Sequence, residues 1–217
     1  MKNIVLRILF PVLFLGSLCL SAQADTVAYQ ITVDTFGQSG NYGYIDLQFN
    51  QAILTALPIT ASITNFAGGT LNLADTSNDA IGTSGDLPGT LTIPAAVSTD
   101  YFEGLTFGNS ISFDVTLTGT GVNLAGLAGG ASGTTFVFGF YDAAFNPLFT
   151  NDPSGATGLI NIANDGIVSV DALPDPSGGQ SLATITATPE PCTLSFFVCA
   201  GAAFLLFRRS LSGLVIR

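Results

Sequence analysis

The stretch "SISFDVTLTG", residues 110–119, decides the fold class. Ile111, Phe113, Val115 and Leu117 alternate with Ser112, Asp114 and Thr116. Successive side chains of an extended chain point to opposite faces, so this pattern predicts a strand with one face buried and the other wet. The same period recurs on either side of it. "TVAYQITV" (26–33) sets Val27, Tyr29, Ile31 and Val33 against Ala28, Gln30 and Thr32, and "YIDLQF" (44–49) sets Ile45, Leu47 and Phe49 against Asp46 and Gln48. In "TFVFGFYD" (135–142), Phe136, Phe138 and Phe140 alternate with Val137, Gly139 and Tyr141, which reads as a strand covered on both faces. Weaker segments of the same kind are "ITASITNF", "GTLTI", "EGLTF", "GLINI", "GIVSV" and "SLATITA".

Turn-forming runs separate these segments: "FGQSGN", "NFAGG", "TSNDAIGTSGDLPG", "GLAGGASG", "FNP", "NDPSG", "NDG" and "PDPSGG". No window between 25 and 188 carries a helical stripe, and no fixed-period repeat is present. About ten short strands with Gly-rich connections predict an all-β fold, a single antiparallel β-sandwich of jelly-roll type. "LPDPSGG" reads as a loop before one last strand.

Charge narrows the function. Between 25 and 188 there are thirteen Asp, one Glu (Glu103) and no Lys, Arg, His or Cys. Such a body repels phosphate backbones, so nucleic acid is excluded as a partner, and anionic headgroups are no more attractive to it. It has no internal salt bridge and no disulfide to draw on.

The ends differ from the middle. Residues 1–24 carry Lys2 and Arg7, an apolar run from Ile8 to Leu20, and Ala22-Gln23-Ala24, the small-x-small pattern of a cleaved signal peptide. Residues 189–210 carry Pro189-Glu190-Pro191, then the sixteen uncharged residues 192–207, then Arg208-Arg209, with a short cytoplasmic tail at 211–217. As a helix, sixteen residues span about 24 Å at 1.5 Å per residue. That falls short of a hydrocarbon core of about 30 Å, a gap that arginine snorkelling and local thinning close, so a transmembrane helix running outside to inside is expected. Two prolines keep the stretch before it extended and within reach of a processing enzyme.

This order of parts resembles the PEP-CTERM sorting signal of Gram-negative bacteria. The resemblance implies processing by signal peptidase and by exosortase. It also implies an inner-membrane-anchored stage in transit, with the membrane as partner through the helix. The destination is then the cell surface, outer membrane or extracellular matrix, with exopolysaccharide as a further partner. The body is similar to a small PEP-CTERM family over most of 26–170, through "YQITVDT", "GYIDLQFN", "YFEGLTFGNSISFDVTLTG" and "FGFYDAAFNPLFTNDPSG". That likeness implies a β-rich extracellular domain, in a family with no established biochemical activity.

The residues agree that no enzyme is expected. Without His, Lys, Arg or Cys, nucleophile–base sites cannot be built, and an all-carboxylate set suits zinc poorly. A glycosidase-like pair would need Glu103 with Asp100 or Asp114, but turn or solvated-strand positions are the simpler reading of these residues. No cofactor is called for. Calcium is the one candidate metal, through Asp79 and Asp86 in "TSNDAIGTSGD", Asp152 in "TNDPSG" and Asp165 in "ANDG", since Ca²⁺ collects carboxylate and carbonyl oxygens from such loops. The same residues also cap ordinary turns. Tyr42, Tyr44, Tyr101 and Tyr141 are candidates for stacking on sugar rings. The expected role is structural or interaction-based at the cell surface or in the matrix. The alternative is a carbohydrate-binding or calcium-dependent adhesive module.

Overall fold

The computed structural model describes residues 26–51, 58–78, 82–96, 99–122, 133–163 and 166–188, which lie within one compact unit, Asp25–Thr188. The strands are β1 (Thr26–Asp34), β2 (Tyr42–Gln51), β3 (Thr60–Asn78), β4 (Leu91–Pro94), β5 (Tyr101–Thr118), β6 (Thr134–Asp142), β7 (Pro147–Leu148), β8 (Ala156–Ile162), β9 (Val168–Ala172) and β10 (Ala183–Thr188). Alternation places the apolar faces inward: Ile111, Val115 and Leu117 are fully buried, as are Phe136, Phe138 and Phe140.

The two-sheet sandwich is not what forms. All ten strands join one continuous antiparallel sheet, in the order β10-β1-β5-β2-β6-β8-β9, with β3 on β5, β4 on β3 and β7 on β6. The reason lies in β5, whose 18 residues serve two neighbourhoods. Ser110–Thr118 pairs with β1 on one side and with Thr60–Thr64 of β3 on the other. Tyr101–Thr106 pairs with Tyr42–Leu47 of β2 on one side and with Thr70–Asn78 of β3 on the other. Because β3 follows β5 through its whole length, the ladder bends at a corner instead of breaking into two sheets.

At that corner Asn65 and Gly68 have positive φ (55° and 94°), and the register slips between Thr64, Ala67 and Gly69. The backbones approach so closely that a Cβ on Gly68 would lie 1.8 Å from the Ser110 carbonyl oxygen. Bulges of this kind turn a sheet sharply without ending it. The bend brings the inner faces together, with the Phe113 ring of β5 edge-on to Phe138 of β6 at 5.8 Å. The end strands β9 and β10 touch without forming a ladder, so the sheet stays open.

The membrane expectation also needs correcting. Among the described residues no helix is long and apolar enough to cross a membrane. The only helical element among them is a 3₁₀ turn, Phe36–Gln38. Three residues rise roughly 6 Å, a fifth of a bilayer core. A transmembrane helix is therefore no part of the fold described, and neither the membrane as partner nor an inner-membrane-anchored stage follows from it. The segment 192–207 assigned to that helix lies outside the described residues, as do Ala22, Ala24, Pro189, Glu190, Pro191, Arg208 and Arg209.

Candidate functional site: an aromatic face with a carboxyl pair

Odd-numbered residues of β2 and of the first half of β5 face the core, so the even-numbered ones form the outer face. The register sets Tyr44 between Gly104 of β5 and Tyr141 of β6, and Asp46 between Phe102 and Gly139. Glycines on either side leave room for large rings to lean inward. Phe102 packs on Tyr44 at 5.0 Å and on Tyr141 at 5.5 Å, while Tyr42 meets Tyr44 edge-on at 5.5 Å. The Tyr141 ring lies against Gly155, where a Cβ would fall 2.3 Å from the hydroxyl.

A fifth ring arrives from the β6–β7 turn. Phe145 is 59% exposed, stacks on Tyr44 at 4.8 Å with 13° between planes, and reaches Phe102 at 5.9 Å. Its backbone is left-handed, φ 64°. Asp142 holds the turn by accepting from the Ala144 and Asn146 backbone N–H groups at 2.8 and 2.9 Å and from Asn146 Nδ2 at 2.9 Å. The Asn146 side chain and then its backbone N–H keep the Asp142 carboxyl below the usual range.

Polar groups surround the rings. The Tyr42 hydroxyl donates to Asp75 and accepts from Asn72 Nδ2 at 3.3 Å. Gln48 Nε2 donates to Asp46 Oδ2 at 2.8 Å, and Asn50 Nδ2 donates to Gln48 Oε1 at 3.0 Å. Asp46 is only 6% exposed, and its Oδ1 is buried without a hydrogen-bond partner. Burial first, then the neighbouring Asp100, push its carboxyl up to about 7, against a smaller lowering by Gln48. Burial also raises the Tyr141 phenol, helped by Asp46, Asp100 and Asp152. Chemically, this is a set of ring faces, amides and carboxyls on the solvent side of a sheet, where packing demands no aromatic residue at all.

Three of the four tyrosines proposed for sugar stacking, Tyr42, Tyr44 and Tyr141, come together here. Tyr101 does not. It is fully buried on the core face, where it donates to Glu103 Oε2 at 3.0 Å. Phe102 and Phe145 belong to the site although neither was among the candidates. The parity of "YFEGLTF" held the signal for Phe102, since its neighbours Tyr101 and Glu103 take the opposite face. Nothing in "FNP" marks Phe145.

Glu103 lies neither on a turn nor on a wet face. It is fully buried, with Thr76 Oγ1 donating to Oε2 at 2.6 Å and Oε1 left unpartnered. Burial, followed by Asp86 and Asp75, raises its carboxyl, while Thr76 and Tyr101 lower it. The glycosidase-like pair does not form. Asp100 neighbours Asp46, and Asp114 sits in the second half of β5 accepting from Asn65 Nδ2 at 2.7 Å.

Of the calcium candidates, Asp79 and Asp165 lie outside the described residues. Asp152 caps a turn, accepting from the Ser154 backbone N–H at 2.7 Å and from its hydroxyl. Asp86 neighbours Tyr101 and Glu103. Among the described residues no three His, Cys, Asp or Glu side chains are grouped to hold a metal. No family model, curated protein or solved structure matches the chain.

Proposed function

We propose that this chain is a secreted cell-surface or extracellular-matrix protein, processed through a PEP-CTERM/exosortase sorting signal, whose folded unit binds carbohydrate and performs no catalysis. The observation that carries the binding role is the cluster of Tyr42, Tyr44, Phe102, Tyr141 and Phe145 on the outer face. Contiguous exposed apolar surface rimmed by polar groups is the mark of an interaction surface. Sugars suit it because the C–H face of a pyranose lies flat on an aromatic ring while its hydroxyls hydrogen-bond amides and carboxylates at the edge. The sorting role rests on the leader ending Ala22-Gln23-Ala24, Pro189-Glu190-Pro191 and the closing Arg208-Arg209.

Two measurements test this reading. Intact mass of the protein recovered from cells and from medium should show loss of residues 1–24 and a second processing event near Pro191. Recovery from the cytosol at full length would end the sorting proposal. On an array of oligosaccharides the protein should bind at least one class, and Tyr44→Ala should weaken that binding about tenfold or more. Binding to none, or binding indifferent to Tyr44→Ala, would end the carbohydrate proposal.

A further inference from the structure

The outer face holds something a neutral sugar does not need. Asp46 is all but buried with its Oδ1 lacking a hydrogen-bond partner, and the register of β2 on β5 sets exposed Asp100 diagonally across from it on the same face. No residue of the chain between 25 and 188 carries a positive charge. A carboxylate out of water, as Asp46 is, is normally compensated by a cation, and the side chains of this unit have none to offer. The rings of Tyr44, Phe102, Tyr141 and Phe145 gather over the same patch of sheet, and their electron-rich faces attract ammonium groups.

We infer that the aromatic face is a receptor for a glycan carrying free primary ammonium groups, that is, an amino-sugar chain stripped of its N-acyl groups. The ammonium docks at the Asp46–Asp100 pair, exposed Asp100 meeting it first. The pyranose rings of the same chain lie on Tyr44, Phe102 and Phe145. The edge amides, Asn72 and Gln48, are placed for its hydroxyls. A lysine-rich polypeptide offers the same charge, but it has no flat C–H faces for a row of rings spread over three strands. The inference rests on the carbohydrate reading above and adds the charge of the ligand.

The test compares glucosamine oligomers with their N-acetylated counterparts and with polylysine, using the full chain and calorimetry at two salt concentrations. The free-amine oligomer should bind about tenfold tighter or better than the acetylated one, with the margin shrinking at high salt. Asp100→Asn should erase that margin by weakening the free-amine oligomer about tenfold. Asp46→Asn should do the same. If it does not fold, Asp100→Asn decides alone. Asp171→Asn, the same charge change on β9, should leave the margin intact. Equal affinity for the two oligomers, an equal loss in Asp171→Asn, or tighter binding of polylysine would each overturn the inference. In the first two cases the carbohydrate reading survives. If no oligomer binds at all, that reading fails with it.

Discussion

Tyr101 and Glu103, two residues apart on β5, hydrogen-bond to each other at 3.0 Å with both side chains fully buried. A buried carboxyl beside a phenol and a threonine, with no cation in the unit, favours its protonated form. Asp46, on the opposite face, is likewise buried, with Gln48 and Asp100 beside it and no cation.

Stability should therefore fall as pH rises from about 4 to above 7. Both groups have folded values raised above their unfolded ones, so the folded state holds the proton more tightly. Their contribution is complete below the unfolded values and is lost as pH passes the folded ones, which for Asp46 is about 7. Asp142 and Asp175, with lowered values, act in the opposite sense, and only in more acid solution. Calorimetric Tm values should decline between pH 4.5 and 7.5, by as much as ~4 kcal/mol in stability from Asp46 at roughly 1.4 kcal/mol per unit. Asp46→Asn should flatten the decline. A profile that rises over this range contradicts the assignment.

Glu103 should tolerate an amide and not a truncation. Glu103→Gln keeps the shape and removes a charge that nothing in the unit offsets, so denaturant unfolding near pH 7.5 should show equal or greater stability. Glu103→Ala strips Tyr101 and Thr76 of their acceptor and opens a cavity, at a cost of about 2–4 kcal/mol. Equal losses in the two variants would mean that the carboxylate itself is required.

Phe145→Gly should separate folding from binding. The left-handed backbone at φ 64° is costly for phenylalanine and free for glycine. The variant should melt at the same temperature or higher, by up to ~1 kcal/mol, because relief of backbone strain offsets the missing ring packing. Its affinity for oligosaccharide should drop about tenfold as the ring leaves Tyr44. A variant that loses stability and keeps affinity would show Phe145 to be a packing residue only.

The corner should be the least tolerant backbone position. Gly68→Ala places a Cβ 1.8 Å from the Ser110 carbonyl at φ 94°, so β3 or β5 must move. A loss above ~3 kcal/mol is expected, at the upper end of single-residue effects. Gly37→Ala, with nothing within 4 Å, should change stability by less than ~0.5 kcal/mol. Similar unfolding midpoints for the two would remove the corner from the account of the fold.

The strands most regular in period were legible, because period two is written directly into residue type. In β1, β6 and the second half of β5 the buried faces carry the residues that alternation assigns to them. What could not be read was continuity. "NFAGG" and the "GNS" of 108–110 look like chain breaks, since glycine clusters usually end strands. Here they oppose one another and allow two paired strands to bend together, a property of the pair that neither segment shows alone. For the same reason "EGLTF" and "SISFDVTLTG" look like two strands and are one. Tyr42, Tyr44 and Tyr141 were legible as candidate rings. Their convergence depends on register, and so does the position of Asp46, buried between Phe102 of β5 and Gly139 of β6 where alternation marks a wet site.

The shared pairing of β3 with β5 also governs how the molecule can come apart. Each half of the sheet is built on the same two strands, so neither half can give them up while the other keeps its ladder. The unit should lose its structure in one all-or-none step, with calorimetric and van't Hoff enthalpies in agreement. Shearing force applied at either end of the sheet would be borne by those two strands together.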